Sequence, residues 1–236
     1  GWDKLPASQL SQFREENGVA GSGSLYAKAS GFTMTGLYYN KALAQQFGMT
    51  TPPTTIDELT GVMDKAKAAG LTGMVVGNKE GAGVFPFQLL LNTTMGPDKV
   101  SQWVFNAPGA TIDNPEGVSA ATTIDQWNKA GYFPKDVNAL DATAADALFA
   151  SNKGLFYPWG NWAAANLDKT MPKQVGFFPF PSTGSGSPAA MSDAATAFGI
   201  SAKSANKDAA AAFLNFLSTD EARLIVVDAG FMPSGT

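Results

Sequence analysis

The chain has 236 residues, 44% of them hydrophobic, so it can bury a substantial core as one large domain or two small ones. Its formal charge is −4, only 15% of its residues are charged, and no run of Lys or Arg occurs, so nucleic acid and anionic membrane surfaces are poor candidates as partners. It contains no Cys and no His, which excludes disulfides, thiolate nucleophiles and imidazole bases and leaves an enzyme only carboxylates, Lys, Tyr or Ser.

The sequence shows no membrane or export signal. No apolar stretch reaches the roughly 18 residues that a membrane-spanning helix requires. The first residues, Gly1–Lys4, do not resemble a signal peptide, and the missing initiator Met leads us to expect processing or truncation.

The first half of the chain alternates predicted helices and strands. Residues 2–18 are compatible with a helix, and residues 25–29 with a strand. Gly31–Asn40 is rich in β-forming residues and is predicted as a strand that could cross between lobes. Further helices are predicted at residues 41–47, 55–69 and 85–91, and a strand at residues 71–77.

The helix after residue 55 has the clearest boundary signals. Thr55 and Glu58 have the spacing of a capping box, and Gly70 stands where the helix would end. The apolar residues that would face the core recur at helical spacing: Ile56, Leu59, Met63 and Ala66.

The second half continues the alternation. Asn114 is the predicted N-cap of a helix that ends at Gly131, Pro158 is expected to end a strand, and Ser218 with Glu221 forms a second predicted capping box. The helices are predicted at residues 115–130, 141–150, 206–217 and 218–230, the strands at 155–157, 177–181 and 196–201, and a flexible Gly–Ser loop at 182–188. The alternation indicates an α/β fold with a central, largely parallel sheet flanked by helices, which binds ligands at the carboxyl ends of its strands.

Two Trp residues lie in the predicted turn from a strand into a short helix. Asn161 is the expected N-cap of that helix, which would place Trp162 in its first turn beside free backbone amides. An indole there suits a ligand with apolar faces and hydroxyl edges, such as a sugar ring. Trp159 and Trp162 are equally compatible with a role as core aromatics.

Lys79 and Glu80 lie in a polar loop before the predicted helix at residues 85–91. Charged tips beside the amides of a helix start can bond ligand hydroxyls, so both are candidate ligand-binding residues. A solvated surface loop is the alternative.

Sequence motifs for catalysis or metal binding are absent. There is no phosphate loop, dinucleotide fingerprint, nucleophile elbow or calcium loop. Most Asp and Glu residues stand at helix starts, where capping explains them. A glycosidase pair of carboxylates is unsupported rather than excluded. We therefore predict no catalytic residues, no metal site and no cofactor.

Several segments resemble one family when they are taken in order: Leu37–Lys41 (LYYNK), Pro52–Leu59 (PPTTIDEL), Phe149–Trp162, Val175–Pro181 (VGFFPFP), Phe198–Leu217 and Gly230–Ser234 (GFMPS). They resemble the family 1 extracellular solute-binding proteins of bacterial ABC sugar importers, the group that includes the maltose-binding protein. Ile56 stands where that family usually has Trp. In the family the Trp at the position of Trp162 stacks on a sugar ring.

The resemblance implies a type II periplasmic-binding-protein-like fold, present here as a fragment with an incomplete first lobe. Residues 1–35 would be a piece of the first lobe and the approach to the hinge, residues 36–190 the second, ligand-binding lobe, and residues 191–236 the return to the first lobe. Thr33, on the crossing strand, and Asp193, after the Gly–Ser loop, are further candidate ligand contacts, with a plain surface loop as the alternative for Asp193.

The resemblance also implies a function. We expect a monomeric, extracytoplasmic protein, in the periplasm or lipid-anchored as a lipoprotein at the cell surface. It would capture a sugar in an interlobe cleft without chemistry and deliver it to an ABC permease. A carbohydrate-active enzyme and a surface adhesion module are the alternatives.

Overall fold

The structure is a computed structural model, which describes residues 5, 7–182, 188–194 and 196–234, without the side chain of Ser8. Residues 183–187 of the predicted Gly–Ser loop, and the start of the predicted first helix at Trp2, lie outside the described residues.

The described residues form α-helices and β-strands, with 3₁₀ turns at Ser11–Phe13 and Asn161–Ala163. The helices are α1 (Ala7–Leu10), α2 (Lys41–Gln46), α3 (Ile56–Ala68), α4 (Val84–Thr94), α5 (Pro97–Val104), α6 (Pro115–Ala130), α7 (Ala142–Ala150), α8 (Ala164–Thr170), α9 (Lys207–Phe216) and α10 (Asp220–Asp228). The strands are β1 (Arg14–Glu16), β2 (Val19–Ala20), β3 (Ser24–Leu25), β4 (Lys28–Ala29), β5 (Gly31–Asn40), β6 (Thr72–Met74), β7 (Gly154–Gly160), β8 (Val175–Phe178), β9 (Met191–Ala194), β10 (Ala197–Phe198) and β11 (Met232–Pro233).

The chain divides into two compact units. Unit 1 comprises Gly1–Met34, Ser101–Ala110 and Ser192–Thr236, and unit 2 comprises Thr35–Val100 and Thr111–Met191. Ser101–Ala110 therefore belongs to unit 1, although the sequence places it inside the 36–190 segment. The assignment of that segment as a ligand-binding lobe stays a prediction.

Unit 2 is built on a mixed sheet. β5 pairs antiparallel with β7 and with β8, and β6 pairs parallel with β7. The α/β class is confirmed, but the prediction of a largely parallel sheet is wrong. Alternating strands and helices suggested that each helix connects two neighbouring parallel strands. In the structure, β5 and β7 are adjacent in the sheet but far apart in the sequence, so the local sequence pattern does not reveal their relative direction.

The core of unit 2 lies against this sheet. Tyr38 of β5 and Tyr157 of β7 pack with Phe149 of α7 and with Leu167 of α8, all of them buried. On α3, which packs against β6 and β7, the predicted apolar face is buried at Leu59, Met63 and Ala66.

Unit 1 contains smaller antiparallel pairings. β1 pairs with β2 and β3, β4 with β10, and β11 with the first residues of β5. The prediction of a helix through residue 18 is wrong at β1. Asn17 and Gly18 have φ of 54° and 83° between the paired residues Glu16 and Val19, so they form the two-residue hairpin turn that an Asn-Gly sequence favours.

Two further boundary predictions are corrected. Pro158 does not end its strand, because it lies within β7 and pairs with Leu37 of β5. The pairing of β7 with β6 stops at Phe156, so the N–H that Pro158 lacks is not needed for hydrogen bonds to β6. The N-cap of α10 is Thr219 rather than Ser218, since the Thr219 hydroxyl oxygen accepts from the Ala222 amide at 3.4 Å. The Ser218 hydroxyl oxygen instead accepts a hydrogen bond from the buried Lys28 side chain.

The capping box of α3 is confirmed. Thr55 Oγ1 accepts from the Glu58 amide at 3.1 Å, and the Glu58 carboxylate accepts from the Thr55 amide at 3.3 Å. Hydrogen bonds from Thr54 to the same carboxylate contribute most to holding the pKa of Glu58 below its usual range.

We predict that Thr55→Ala lowers the free energy of unfolding by about 1 kcal/mol, because the Glu58 amide in the first turn of α3 loses its acceptor, the Thr55 hydroxyl oxygen. Chemical denaturation of this variant, with Thr51→Ala as the control at an exposed position before the helix, tests the prediction. Equal stability of the two variants would contradict it.

Candidate functional site

Four rings of unit 2, Phe85, Tyr157, Trp159 and Trp162, form what we call the aromatic cluster. The ring centroid of Trp159 lies 5.1 Å from that of Phe85, 5.4 Å from Tyr157 and 5.3 Å from Trp162. Trp159 stacks on Tyr157 with an interplanar angle of 12° and meets Phe85 and Trp162 edge to face. These are the arrangements that attract aromatic rings, so the cluster is a connected structure rather than a set of isolated side chains.

The aromatic cluster extends from the core towards the surface, because β7 carries the buried Tyr157 and the less buried Trp159. Alternate side chains of a strand share one side, which places Tyr157 and Trp159 together. The Tyr157 side chain is 1% exposed, whereas Trp159 and Trp162 are half-buried. One side of each indole therefore packs on the core of unit 2 while part of each ring remains accessible.

Gly160 holds Trp162 in place. A Cβ at Gly160 would lie 1.9 Å from Cζ3 of Trp162, so the indole lies directly on the glycine backbone. The Tyr38 hydroxyl donates to the Gly160 carbonyl oxygen at 3.2 Å, and burial raises the pKa of Tyr38 to about 12, which keeps it a donor. One face of Trp162 is thus set by the backbone.

The predicted capping role of Asn161 is wrong. Asn161 is the first residue of the 3₁₀ turn, and Gly160 occupies the N-cap position. The glycine is needed there because the ring of Trp162 folds back over it, and this contact is invisible to a search for capping residues.

A carboxylate supports the buried end of the cluster. The Tyr157 hydroxyl donates to Asp146 Oδ1 of α7 at 2.8 Å. Burial raises the pKa of Asp146 above its ordinary value, although the hydrogen bond from Tyr157 opposes this. Burial, together with the negative charge of Asp146, also raises the pKa of Tyr157, so its hydroxyl stays a donor.

Lys79 and Glu80 lie in the loop before α4, and their side chains contact the start of α7. Lys79 Nζ is 3.7 Å from Asp141 Oδ2, and Glu80 Oε2 accepts from the Ala142 amide at 3.3 Å. Asp141 itself caps the helix by accepting from the Ala144 amide at 2.9 Å. Both candidate side chains are exposed, and their ligand-binding role stays a prediction.

Thr33 and Asp193 lie together in unit 1. Thr33 Oγ1 donates to the Asp193 carbonyl oxygen at 3.2 Å, and Asp193 Oδ1 accepts from the Ala194 amide at 2.7 Å. Asp193 is exposed and Thr33 is half-buried. Their role as ligand contacts stays a prediction.

Unit 2 also contains a cavity of about 410 Å³ between α4 and α6. Its wall includes Val76, Asn78, Pro86, Ile124, Phe133 and Asn138, and none of the predicted site residues. Asn78 joins two sides of this region, because its side chain accepts from the Gly83 amide and donates to Asn138.

In the described part of the chain, none of the helices combines the length and hydrophobicity that crossing a membrane requires. Those same residues contain no group of three or more acidic side chains that could hold a metal ion.

Residues 7–224 match the family of bacterial extracellular solute-binding proteins. The chain belongs to this family. Its members act outside the cytoplasm, so the predicted extracytoplasmic location is confirmed.

Curated relatives of this solute-binding protein are named for sugars. It is 25% identical over 194 residues to the Multiple sugar-binding protein of Streptococcus mutans, a match that covers 80% of this chain and 46% of the relative. It is 25% identical over 164 residues to a Probable sugar-binding periplasmic protein of Mesorhizobium japonicum, covering 69% of this chain and 37% of the relative. The chain thus spans less than half the length of these relatives. Both are named as binding proteins rather than enzymes.

Solved structures share the fold. A chitin oligosaccharide binding protein matches with a TM-score of 0.79 at 22% identity, over 99% of this chain and 58% of its own. The maltose-bound MalE3 of T. maritima matches with a TM-score of 0.78 at 23% identity, over 98% of this chain and 59% of its own. The predicted fold of the solute-binding proteins is therefore confirmed.

Sequence reasoning missed one ring of the cluster, Phe85, and the carboxylate that supports the cluster, Asp146. The signal for Phe85 was present, since it opens the helix after the polar loop that holds Lys79 and Glu80. Asp146 gave no signal, because a single Asp one turn into a helix is unremarkable until its contact with Tyr157 is known.

We predict that Gly160→Ala displaces the Trp162 ring, which changes the near-ultraviolet circular dichroism, and destabilises the protein by about 1–3 kcal/mol through overpacking. Gly61→Ala is the matched control, since no atom lies within 4 Å of its added methyl group inside α3. It should leave the spectrum unchanged and the stability equal or up to about 1 kcal/mol higher. An unchanged spectrum in Gly160→Ala would contradict the contact.

A pH dependence follows from Asp146. Because its native pKa is raised, the native state keeps this proton at pH values where the unfolded chain has lost it, so its contribution to stability falls as pH rises from the ordinary value of 3.8 through the raised pKa. We expect the unfolding free energy of the wild type minus that of Asp146→Asn to fall across this window. A flat or rising difference, measured by denaturant titration at each pH, would contradict the raised pKa.

Proposed function

We propose that this solute-binding protein captures a sugar, as a mono- or oligosaccharide, on the exposed part of the aromatic cluster and delivers it to an ABC permease in the membrane. The observation that carries the proposal is the half-buried Trp162 held face-down on Gly160 beside Trp159. A ring fixed on one face and accessible elsewhere suits a flat ligand whose faces are apolar. The names of the curated relatives support the same ligand class.

The proposed roles differ among the candidates. Trp162 is the principal stacking residue, with Asn161 on the same turn and Trp159 beside it at the end of β7. One face of Trp159 is occupied by Tyr157, which makes it the weaker surface of the two. Lys79, Glu80, Thr33 and Asp193 remain proposed hydroxyl partners.

Binding without chemistry is part of the proposal. The ionisable group of the cluster, Tyr157, donates to Asp146, so this carboxylate already accepts a hydrogen bond within the protein. Incubation of the protein with its tightest sugar should yield no hydrolysis or transfer products above a heat-killed control. Such products would support the alternative of a carbohydrate-active enzyme.

A thermal-shift screen of the complete chain against mono- and oligosaccharides tests the ligand class. Calorimetry of the best ligand then gives its affinity and stoichiometry, and a sedimentation experiment tests the expected monomer. Failure of every sugar to bind would overturn the proposal. Binding that is lost on mutation of Ile124 or Phe133 instead of the cluster would move the site to the cavity between α4 and α6.

We predict that Trp162→Ala weakens sugar binding roughly tenfold or more, because an indole contact with a sugar face removes apolar area worth about 1–3 kcal/mol. Trp162→Phe, which keeps an aromatic face, should retain part of the affinity. Calorimetry and thermal unfolding of both variants separate the two interpretations of this residue. Unchanged affinity with a collapsed melting temperature would make Trp162 a core residue.

A further inference from the structure

The buried end of the aromatic cluster is fixed by one hydrogen bond to another element. Tyr157 is 1% exposed, and its hydroxyl donates to Asp146 of α7 at 2.8 Å. The ring of Tyr157 lies nearly parallel to Trp159, and Trp159 in turn meets Trp162 edge to face. The position of α7 is therefore connected to the partly exposed indoles through this hydrogen bond and two successive ring contacts.

We propose that Asp146 and Tyr157 are positioning residues that set the orientation of Trp159, and through it Trp162, for ligand binding; this proposal rests on the proposed function. Neither residue touches the ligand. Asp146 fixes the Tyr157 hydroxyl, the Tyr157 ring fixes the plane of Trp159, and the edge contact of Trp159 limits the rotation of Trp162.

The electrostatics of Asp146 support a role beyond stability. Burial raises its pKa despite the hydrogen bond from Tyr157, so the charged form of the carboxyl group is disfavoured at this position. A neutral residue there would avoid that cost. The charged-acceptor bond does, however, hold the phenol more firmly than a neutral acceptor would.

The start of α7 determines where Asp146 lies. Asp141 caps the helix, Glu80 accepts from its first amide, and Lys79 pairs with Asp141. Asp146 follows one turn later on the same helix. The loop that carries Lys79 and Glu80 thus helps to place Asp146.

The chain offers a matched control for the experiment. Tyr132 is also buried, at 4% exposure, and its hydroxyl donates to Asp64 Oδ1 at 2.6 Å. This second Tyr–Asp pair belongs to unit 2, and neither residue is a member of the aromatic cluster. Variants of the two pairs change the same kind of Tyr–Asp hydrogen bond, although Asp64 is exposed whereas Asp146 is half-buried. The melting temperature of each variant is therefore measured with its affinity, so that a general loss of stability is separated from a loss of binding.

The test compares Asp146→Asn and Tyr157→Phe with Asp64→Asn and Tyr132→Phe. Calorimetry uses a panel of maltose, raffinose, stachyose and a chitin oligosaccharide. We expect Asp146→Asn and Tyr157→Phe each to weaken binding roughly threefold to tenfold for whichever panel sugar the wild type binds. The two control variants should leave the affinity for that sugar unchanged. Equal effects of the two pairs would overturn the proposal.

A double-mutant cycle supplies the readout that a structural role would not give. If Asp146 acts through Trp159, Asp146→Asn should have no further effect on affinity in a Trp159→Ala background. Additive losses would overturn the proposal.

Failure of the proposed function is distinguishable from failure of this inference. If the wild type binds no sugar, the function fails, and near-ultraviolet circular dichroism without ligand decides the positioning role. Adding Asp146→Asn to the wild-type sequence should change the tryptophan bands, whereas adding it to the Trp159→Phe variant should not. The control Asp64→Asn should have the same effect on the bands in both backgrounds. An identical spectrum for Asp146→Asn and the wild type would overturn the inference.

Discussion

The antiparallel pairing of β5 with β7 is the constraint on which the rest of unit 2 depends. Its register sets Tyr38 opposite Tyr157 and Thr35 opposite Gly160. The first pair lies in the core, and the Tyr38 hydroxyl reaches the Gly160 carbonyl oxygen where the strand ends. A slip of one residue would move the aromatic side chains to the other side of the sheet and remove both the core contacts and the support of Trp162.

Strand β7 carries both buried core residues and the partly exposed Trp159. Each buried aromatic ring contributes roughly 1.5–3 kcal/mol, so the buried part of β7 stabilises the fold substantially. The two buried phenols of the β5–β7 pair, Tyr38 and Tyr157, would cost stability if their hydroxyl groups lacked partners, and Gly160 and Asp146 provide them. The half-buried indoles of Trp159 and Trp162 therefore pack on buried residues whose hydroxyl groups already have hydrogen-bond partners.

Local signals predicted much of this architecture, and long-range contacts account for the rest. The bounds of β5 and α6 and the capping box of α3 follow from residue types within one or two turns, so they were readable. The direction of β7 against β5 and the strand position of Pro158 depend on residues distant in sequence, and the Asp146–Tyr157 bond depends on how α7 packs on β7. For the site, the sequence drew attention to Trp159 and Trp162 but could not show that Gly160 carries the indole or that Phe85 closes the cluster.

The charged side chains at the first turn of α7, and Asp146 beside Tyr157, have partners within unit 2, which suits the neutral ligand that we propose. Lys79 pairs with Asp141, Glu80 accepts from the first amide of α7, and the Asp146 carboxylate accepts from Tyr157. A charged ligand would require a counter-charge aimed at it, whereas a sugar needs an apolar face and hydrogen-bonding groups. The exposed pair of Lys79 and Asp141 adds little stability by itself. In the positioning role that we propose, its importance is geometric, because Asp141 is the N-cap of the helix that carries Asp146.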